Sequence, residues 1–300
     1  MGEPTKAAEH PAERVVLIGY RGQLGSALLK SLGAGGADRN LLALDYPEID
    51  MTRPAIIEQV CDHRPQVVIN AAAWTDVDGA EEKQEACYAI NVLGIKHLAT
   101  ACQRSGAALL HVSTNEVFPG QPGRFYREWD TTGARSGVYA RTKEAAEKVV
   151  TTMLAGRFYI TRTAWLYNNG GSNFITKILA AAEKHGALRV VADEFGSPTY
   201  APDLAAAIVE LIDSGHYGIY HLTNNGYCTR HQWAVELLRQ AGRADVPVTA
   251  ISSAEWYRRT SPPPHAIILN TAAAALGITL RPWQDALAAY FDYEAVNGNR

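Results

Sequence analysis

Cysteine is scarce: Cys61, Cys87, Cys102 and Cys228 are the only four in 300 residues, and none has a paired spacing. Disulfide frameworks and thiolate zinc sites need such pairs, so reduced thiols in a cytoplasmic setting are expected. The chain also lacks dense basic runs. With a net charge of −3 it has no electrostatic footprint for nucleic acid and no pull towards anionic membranes. No apolar run approaches the ~20 residues needed to cross a bilayer. The opening Met1-Gly-Glu-Pro-Thr-Lys6 has no signal-peptide-like apolar stretch, and Lys6 spoils a myristoylation pattern. The nine histidines are scattered without ligand spacing, so no bound metal is expected. Internal repeats and low-complexity tracts are missing too.

What is present suits a globular protein. At 47% hydrophobic content the chain can bury a substantial core. Residues 1–13 read as a loose polar tail. Strand and helix signals then alternate: Val15–Ile18, a helical stretch Gln23–Leu32, Leu41–Leu44, a helix over 55–61, Val67–Ile69, a helix over 85–104, and a strand over 107–112. This alternation predicts an α/β fold, a Rossmann-type doubly wound parallel sheet with helices on both faces. After about residue 165 the pattern loosens into polar loops, short strands and the run Pro262-Pro-Pro264. A smaller carboxyl-terminal substrate-binding lobe is expected there. The dinucleotide-binding unit would take residues 14–170 and about 196–225, and the lobe about 171–195 and 226–300.

Two motifs carry chemistry. The first is the turn Gly19-Tyr-Arg21-Gly22-Gln23-Leu24-Gly25, placed after a strand and before a helix. There Gly19 allows a tight bend, Gly22 a close approach of backbone to pyrophosphate, and Gly25 close helix–strand packing. The helix amino terminus adds free amides and positive potential for that anion. Asp45, ending the second strand, suits ribose hydroxyls and repels a 2′-phosphate, whereas Arg21 suits that phosphate. The cues oppose each other; the balance leans to NADPH, with NADH also usable. The second motif is Tyr139 and Lys143, four residues apart and so on one helical face. A cation beside a phenol is expected to bring its pKa of ~10 towards neutrality, which suits proton exchange with a carbonyl oxygen.

These pieces, in this order, resemble the extended short-chain dehydrogenase/reductase superfamily and, within it, the dTDP-4-dehydrorhamnose reductase family. The resemblance runs from about residue 14 to 290. It rests on the glycine turn, Asn70-Ala-Ala-Ala-Trp-Thr-Asp-Val-Asp-Gly-Ala-Glu81, Ser113-Thr-Asn-Glu-Val-Phe118 and Val138-Tyr-Ala-Arg-Thr-Lys143. Arg162-Thr-Ala-Trp-Leu-Tyr167, Asp193-Glu-Phe-Gly-Ser-Pro-Thr-Tyr-Ala-Pro-Asp-Leu204 and Arg281-Pro-Trp283 extend it. It implies NAD(P)H-dependent reduction of the 4-keto group of a nucleotide-linked 6-deoxy-4-keto sugar, leading to dTDP-L-rhamnose or another deoxysugar. Tyr139 would protonate the keto oxygen, Lys143 would hold the nicotinamide ribose, and Thr114 would polarise the same oxygen. Ser113 either assists or simply bonds backbone. Asn70, Ala71 and Ala72 would pass close to the cofactor. Asp50 is either an adenine contact or a helix cap. Trp165 and Asn173 match positions that meet the sugar nucleotide, although the tryptophan equally suits core packing. Phe118 and Phe174 read as core. A homodimer is compatible with the family, but its metal-assisted form finds no matching carboxylate cluster here. The resemblance also admits a non-catalytic nucleotide-binding regulatory subunit, or an epimerase with tightly held NAD.

Two departures from the family pattern stand out. Its reductases commonly carry Thr-Asp-Tyr where this chain has Thr114-Asn115-Glu116, and related 4,6-dehydratases carry Thr-Asp-Glu. The carboxamide of Asn115 has no labile proton for a leaving hydroxyl, so elimination is disfavoured and ketoreduction remains. Asn115 and Glu116 are then expected at the substrate. In the lobe, the usual arginine-proline segment is replaced by Thr260-Ser-Pro-Pro-Pro-His265, leaving Arg258 and Arg259 either to meet a diphosphate or to sit in solvent.

Overall fold

The computed structural model describes residues 13–34, 39–133 and 137–297. Of the tail expected over residues 1–13, only Glu13 lies among them, and it opens the first strand, Glu13–Ile18. Six parallel strands form the central sheet, in the spatial order Gly218–His221, Phe158–Thr163, Ala108–Thr114, Val67–Asn70, Glu13–Ile18, Arg39–Leu44. The chain steps from the first strand to one side and then returns to its other side at Val67–Asn70. Connections leave in opposite directions at that reversal, and a crevice opens beyond the carboxyl ends of the strands.

Apolar alternation explains why both faces are covered. Val15 and Leu17 point into one core with Leu24, Leu28, Leu204 and Ile208, while Val16 and Ile18 point into another with Val60, Ile95, Leu98 and Val150. The helices Gln23–Ala34 and Ala201–Ser214 therefore cover one face. Ala55–Asp62, Gly94–Ser105 and Val138–Met153 cover the other. The helix expected over 85–104 is interrupted by one wide turn, Ala89–Leu93. That turn carries Asn91, whose side chain accepts from the Trp74 amide at 2.8 Å and donates to the Thr142 hydroxyl at 3.0 Å. A wide turn thus pins the loop after the third strand to the helix Val138–Met153.

A third core sits beside the crevice. Trp233, Leu237, Ile175, Trp283 and Leu287 join the helices Phe174–His185, Arg230–Gln240 and Trp283–Asn297. The parallel ribbon Leu188–Val191 with Val248–Ile251 lies against them.

Gly25 has no freedom to carry a side chain, because an added Cβ would lie 1.9 Å from the Gly19 carbonyl oxygen. Gly25→Ala should therefore destabilise the protein by about 1–3 kcal/mol, read as a lower midpoint in guanidinium unfolding. An unchanged midpoint would mean that the turn has slack.

Candidate active site

The glycine turn is built by contacts at two of its glycines and by open space at the third. Gly19 adopts φ +84°, and a Cβ there would lie 2.7 Å from the Ala72 amide nitrogen. A Cβ on Gly22 would meet nothing nearer than the Gly19 carbonyl at 3.4 Å. No protein atom requires the absence of a side chain at Gly22, so the cradle fits a group approaching from the crevice. Leu24 is buried in the core behind the turn. Gln23 gives its carbonyl to Asn168 at 2.7 Å, and its buried Oε1 has no partner. The first-turn amides of the helix Gln23–Ala34 have no acceptor within the helix.

Asp45 and Arg21 both make contacts within the protein beside the glycine turn. The Asp45 carboxylate accepts the backbone amides of Arg21 and Tyr46, both at 2.8 Å. The Arg21 guanidinium donates to the Tyr46 carbonyl at 2.6 Å and forms an exposed ion pair with Glu48. Asp50 caps the turn ahead of the helix Ala55–Asp62, accepting the Thr52 amide at 2.9 Å and hydroxyl at 2.7 Å. Those bonds hold its pKa below the ordinary value. Asn70 is buried at the end of the third strand, where it donates to the Ala72 carbonyl at 3.1 Å and fixes the bend through Ala71, whose amide bonds Ile18 at 2.9 Å.

At the carboxyl end of Ala108–Thr114, the structure brings Thr114, Tyr139 and Lys143 together. The Thr114 hydroxyl donates to the Asn115 side-chain oxygen at 3.3 Å and accepts the Glu116 amide at 3.2 Å. Lys143 Nζ donates to the Val112 carbonyl at 2.6 Å and meets the His111 ring at 3.2 Å. Burial pulls the ammonium down to about 8, with Glu147 and Cys87 acting the other way. The phenol behaves contrary to expectation. Its pKa is raised rather than lowered, by burial first and by the Glu116 carboxylate, with the Thr114 bond opposing. The physical reason is orientation: the ammonium is turned to a carbonyl and an imidazole, so its charge does not govern the phenol.

Asn115 is committed to the backbone, donating to the Ala266 carbonyl at 3.0 Å. Glu116 keeps no hydrogen bond to its carboxylate oxygens among the described residues, and removal from water pushes it up to about 7. Trp165 takes φ +44° and lies on Gly196, where a Cβ would be 2.4 Å from its ring. It stacks on Trp233 at 5.7 Å. Asn173 caps the helix Phe174–His185, accepting the Thr176 amide at 3.2 Å and donating to the Asn168 carbonyl at 2.8 Å. Phe118 is fully buried, as read from the sequence, and Phe174 is half-buried against Trp233. Arg258 pairs with Glu194 at 3.0 Å and Arg259 with Glu82.

Several site residues escaped the sequence reading. His111 is buried, its pKa well below the ordinary value through burial and the Lys143 charge, and its other nitrogen lies 3.2 Å from the Asn70 carboxamide. Glu147 accepts from Ser113 at 2.5 Å and pairs with Arg162 at 2.7 Å. Its spacing was the available signal, since Tyr139, Lys143 and Glu147 follow at intervals of four on one helix. Arg230 lies 4.0 Å over the Trp165 ring and pairs with Glu194 at 3.6 Å. Among the described residues no group of three or more His, Cys, Asp or Glu is arranged to hold a metal ion.

Residues 13–296 match the RmlD substrate binding domain family. The chain is 41% identical over 284 residues to dTDP-4-dehydrorhamnose reductase of Mycobacterium tuberculosis H37Rv, covering 92% of each chain. It is 38% identical over 289 residues to the Streptomyces griseus protein of the same name, covering 94% of each. A crystal structure of Bacillus anthracis dTDP-4-dehydrorhamnose reductase in complex with NADP superposes with TM-score 0.88 at 32% identity, over 94% of this chain and 99% of that one.

Glu147 and Arg162 are both buried, so losing one charge strands the other. Glu147→Gln should destabilise the protein by about 3–5 kcal/mol in urea unfolding, and adding Arg162→Met should recover a large part of that loss. Equal instability of the single and double variants would show that the pair's charge is not what matters.

Proposed function

The chain belongs to the dTDP-4-dehydrorhamnose reductase family, and from that premise we propose that it reduces the 4-keto group of a nucleotide-linked 6-deoxy-4-keto sugar with NADPH. The observation that carries the reading is Lys143, on the helix that also carries Tyr139, bonded to the Val112 carbonyl and meeting the His111 ring at the end of the strand that closes with Thr114. The reduced nicotinamide supplies the hydride when bound. The chain supplies the proton and the geometry.

A proton donor must arrive protonated. The raised pKa of Tyr139 keeps its proton in place at neutral pH, and the Thr114 hydroxyl shares the oxygen that the phenol would serve. Lys143 has three N–H donors, and the Val112 carbonyl and His111 ring take two of them. The third is left for a ribose hydroxyl. The open cradle at Gly22 and the first-turn amides suit the pyrophosphate. Asp45 spends its oxygens on backbone amides, and the Arg21–Glu48 pair is exposed and cheap to open, so Arg21 can turn to a 2′-phosphate. That arrangement favours NADPH. Asn115, bonded to backbone and without a labile proton, cannot serve as the acid for dehydration. Among the described residues no helix is long and apolar enough to cross a membrane.

NADPH oxidation should be seen with 4-keto-6-deoxy sugar nucleotides and not with dTDP-glucose, which has no 4-keto group. Tyr139→Phe should lose about 10²- to 10⁴-fold in kcat while still binding NADPH. Full turnover by that variant, or none by the parent on any keto sugar, would overturn the assignment. Cofactor affinity supplies a second check. Lys143 is charged below about 8 and neutral above it. A charge-assisted bond exceeds a neutral one by about 1 kcal/mol, so NADPH affinity should fall roughly fivefold between pH 7 and pH 9. Lys143→Met should bind weakly at both pH values, without that fall, as followed by fluorescence titration. A parallel fall in the variant would place the titrating group elsewhere.

A further inference from the structure

The helix that carries Tyr139 and Lys143 begins without a cap of its own. Its N-cap position is Gly137, which has no side chain, and its first turn, Val138-Tyr-Ala-Arg141, holds no acid. The first amides of a helix have no acceptor within it, and an uncapped end frays. Tyr139 is the second residue of that turn, so its placement depends on what holds the turn down.

The hold comes from elsewhere in the chain. Glu81 Oε1 accepts the Val138 backbone amide at 2.6 Å, across 57 residues of sequence. A short bond from a carboxylate to an N–H at a helix start is charge-assisted and strong, and the negative charge suits the positive end of the helix. Glu81 sits on the helix Val77–Glu82, which is itself fixed from two sides. Asp76 caps it by accepting the Gly79 amide at 3.0 Å. From the lobe, the Thr260 hydroxyl donates to Asp78 at 2.9 Å, and Arg259 pairs with Glu82. Between the two helices Ala80, Cys87 and Val138 form a small buried cluster, against which Trp74 and the Tyr139 ring pack. The phenol ring therefore rests on the same support that pins its backbone. Lys143 is secured differently, one turn deeper, by the Val112 carbonyl at 2.6 Å and the His111 ring at 3.2 Å. Loss of the Glu81 bond would loosen the turn that holds Tyr139 and leave the ammonium and the glycine turn in place.

We propose that Glu81 is a positioning residue for proton transfer: by holding the Val138 amide it fixes the first helical turn and, through it, sets the Tyr139 phenol against the carbonyl oxygen of the substrate. This rests on the reading of Tyr139 as the proton donor. A donor displaced by about an ångström costs turnover, up to roughly a hundredfold, while cofactor binding rests on other contacts.

The test compares Glu81→Ala and Glu81→Gln with the parent chain, by NADPH oxidation with a dTDP-linked 4-keto-6-deoxy sugar. Glutamine keeps an oxygen that can accept the Val138 amide, and alanine removes it. Glu81→Ala should lose about 10- to 100-fold in kcat with its Kd for NADPH within about twofold of the parent, and Glu81→Gln should stay within about fivefold in kcat. Hydrogen–deuterium exchange in Glu81→Ala should quicken by about threefold or more over residues 138–142 and stay unchanged over 146–153. Parent-like turnover by Glu81→Ala overturns the proposal, as does a Glu81→Gln variant as slow as Glu81→Ala. A loss of NADPH affinity in step with kcat, with faster exchange along the whole helix, overturns it too, because Glu81 would then serve general stability. A parent that turns over no keto sugar overturns the reductase reading and this one with it, whereas an active parent with any of the other results overturns this one alone.

Discussion

The catalytic face hangs on one buried carboxylate. Glu147 lies on the same helical stripe as Tyr139 and Lys143, and it is clamped by Arg162 from the fifth strand of the sheet and by Ser113 from the fourth. Ser113 directly precedes Thr114. One anion therefore ties together the helix that carries the Tyr139 phenol and the strand end that carries the Thr114 hydroxyl. Arg162 is itself held over Phe118 at 5.0 Å and reaches the Glu128 carbonyl at 3.3 Å. Buried pairs of this kind contribute little net stability compared with an apolar core. Their value here is geometric, because a proton transfer needs the donor and the polarising hydroxyl on one oxygen, within tenths of an ångström.

The cofactor side depends on close approach rather than on charge. Gly19 and Ala72 meet at a distance that no side chain on Gly19 would tolerate, so the turn after the first strand and the bend after the third are locked edge to edge. Asn70 holds that bend and also touches His111, which touches Lys143. The floor of the crevice is thus a continuous polar chain from the glycine turn to the ammonium. His111 must be neutral within it, since a second cation 3.2 Å from Lys143 in a dry interior would be expelled.

Much of this was legible in the sequence, and the parts that were not have a common cause. The alternation of Val15–Ile18, Leu41–Leu44 and Val67–Ile69 with helical stretches reports burial on both faces, a local property of each segment, and the parallel sheet follows from it. The glycine turn and the four-residue spacing of Tyr139 and Lys143 are likewise local. Asp45 and Arg21 show where local reading stops. Each residue type suggested a ribose or phosphate contact, and neither residue's spacing foretold that Asp45 also closes its own turn or that Arg21 pairs with Glu48. Asn173 resembled a substrate contact and serves as a helix cap through Thr176, a role its own neighbours already encoded. His111, Glu147, Arg162 and Arg230 were missed because their partners lie on other elements, 15 to 65 residues away in the chain. Periodicity carries no information about those pairings.

The direction of the Tyr139 shift follows from the same distinction. A cation four residues along a helix ought to ease ionisation of the phenol, and in an exposed helix it would. Here the ammonium has better partners, a carbonyl at 2.6 Å and an imidazole at 3.2 Å. What remains around the phenol is a dry setting, a hydroxyl and a carboxyl. If the site gives a proton to a ketone, as proposed, that arrangement has a clear logic. A phenolate would have to be reprotonated before each turnover, whereas a phenol of raised pKa is loaded at rest and releases its proton only when negative charge appears on the oxygen in front of it. In the proposed reading Lys143 would act on the cofactor's ribose rather than on the phenol, its ammonium already turned to the Val112 carbonyl and the His111 ring.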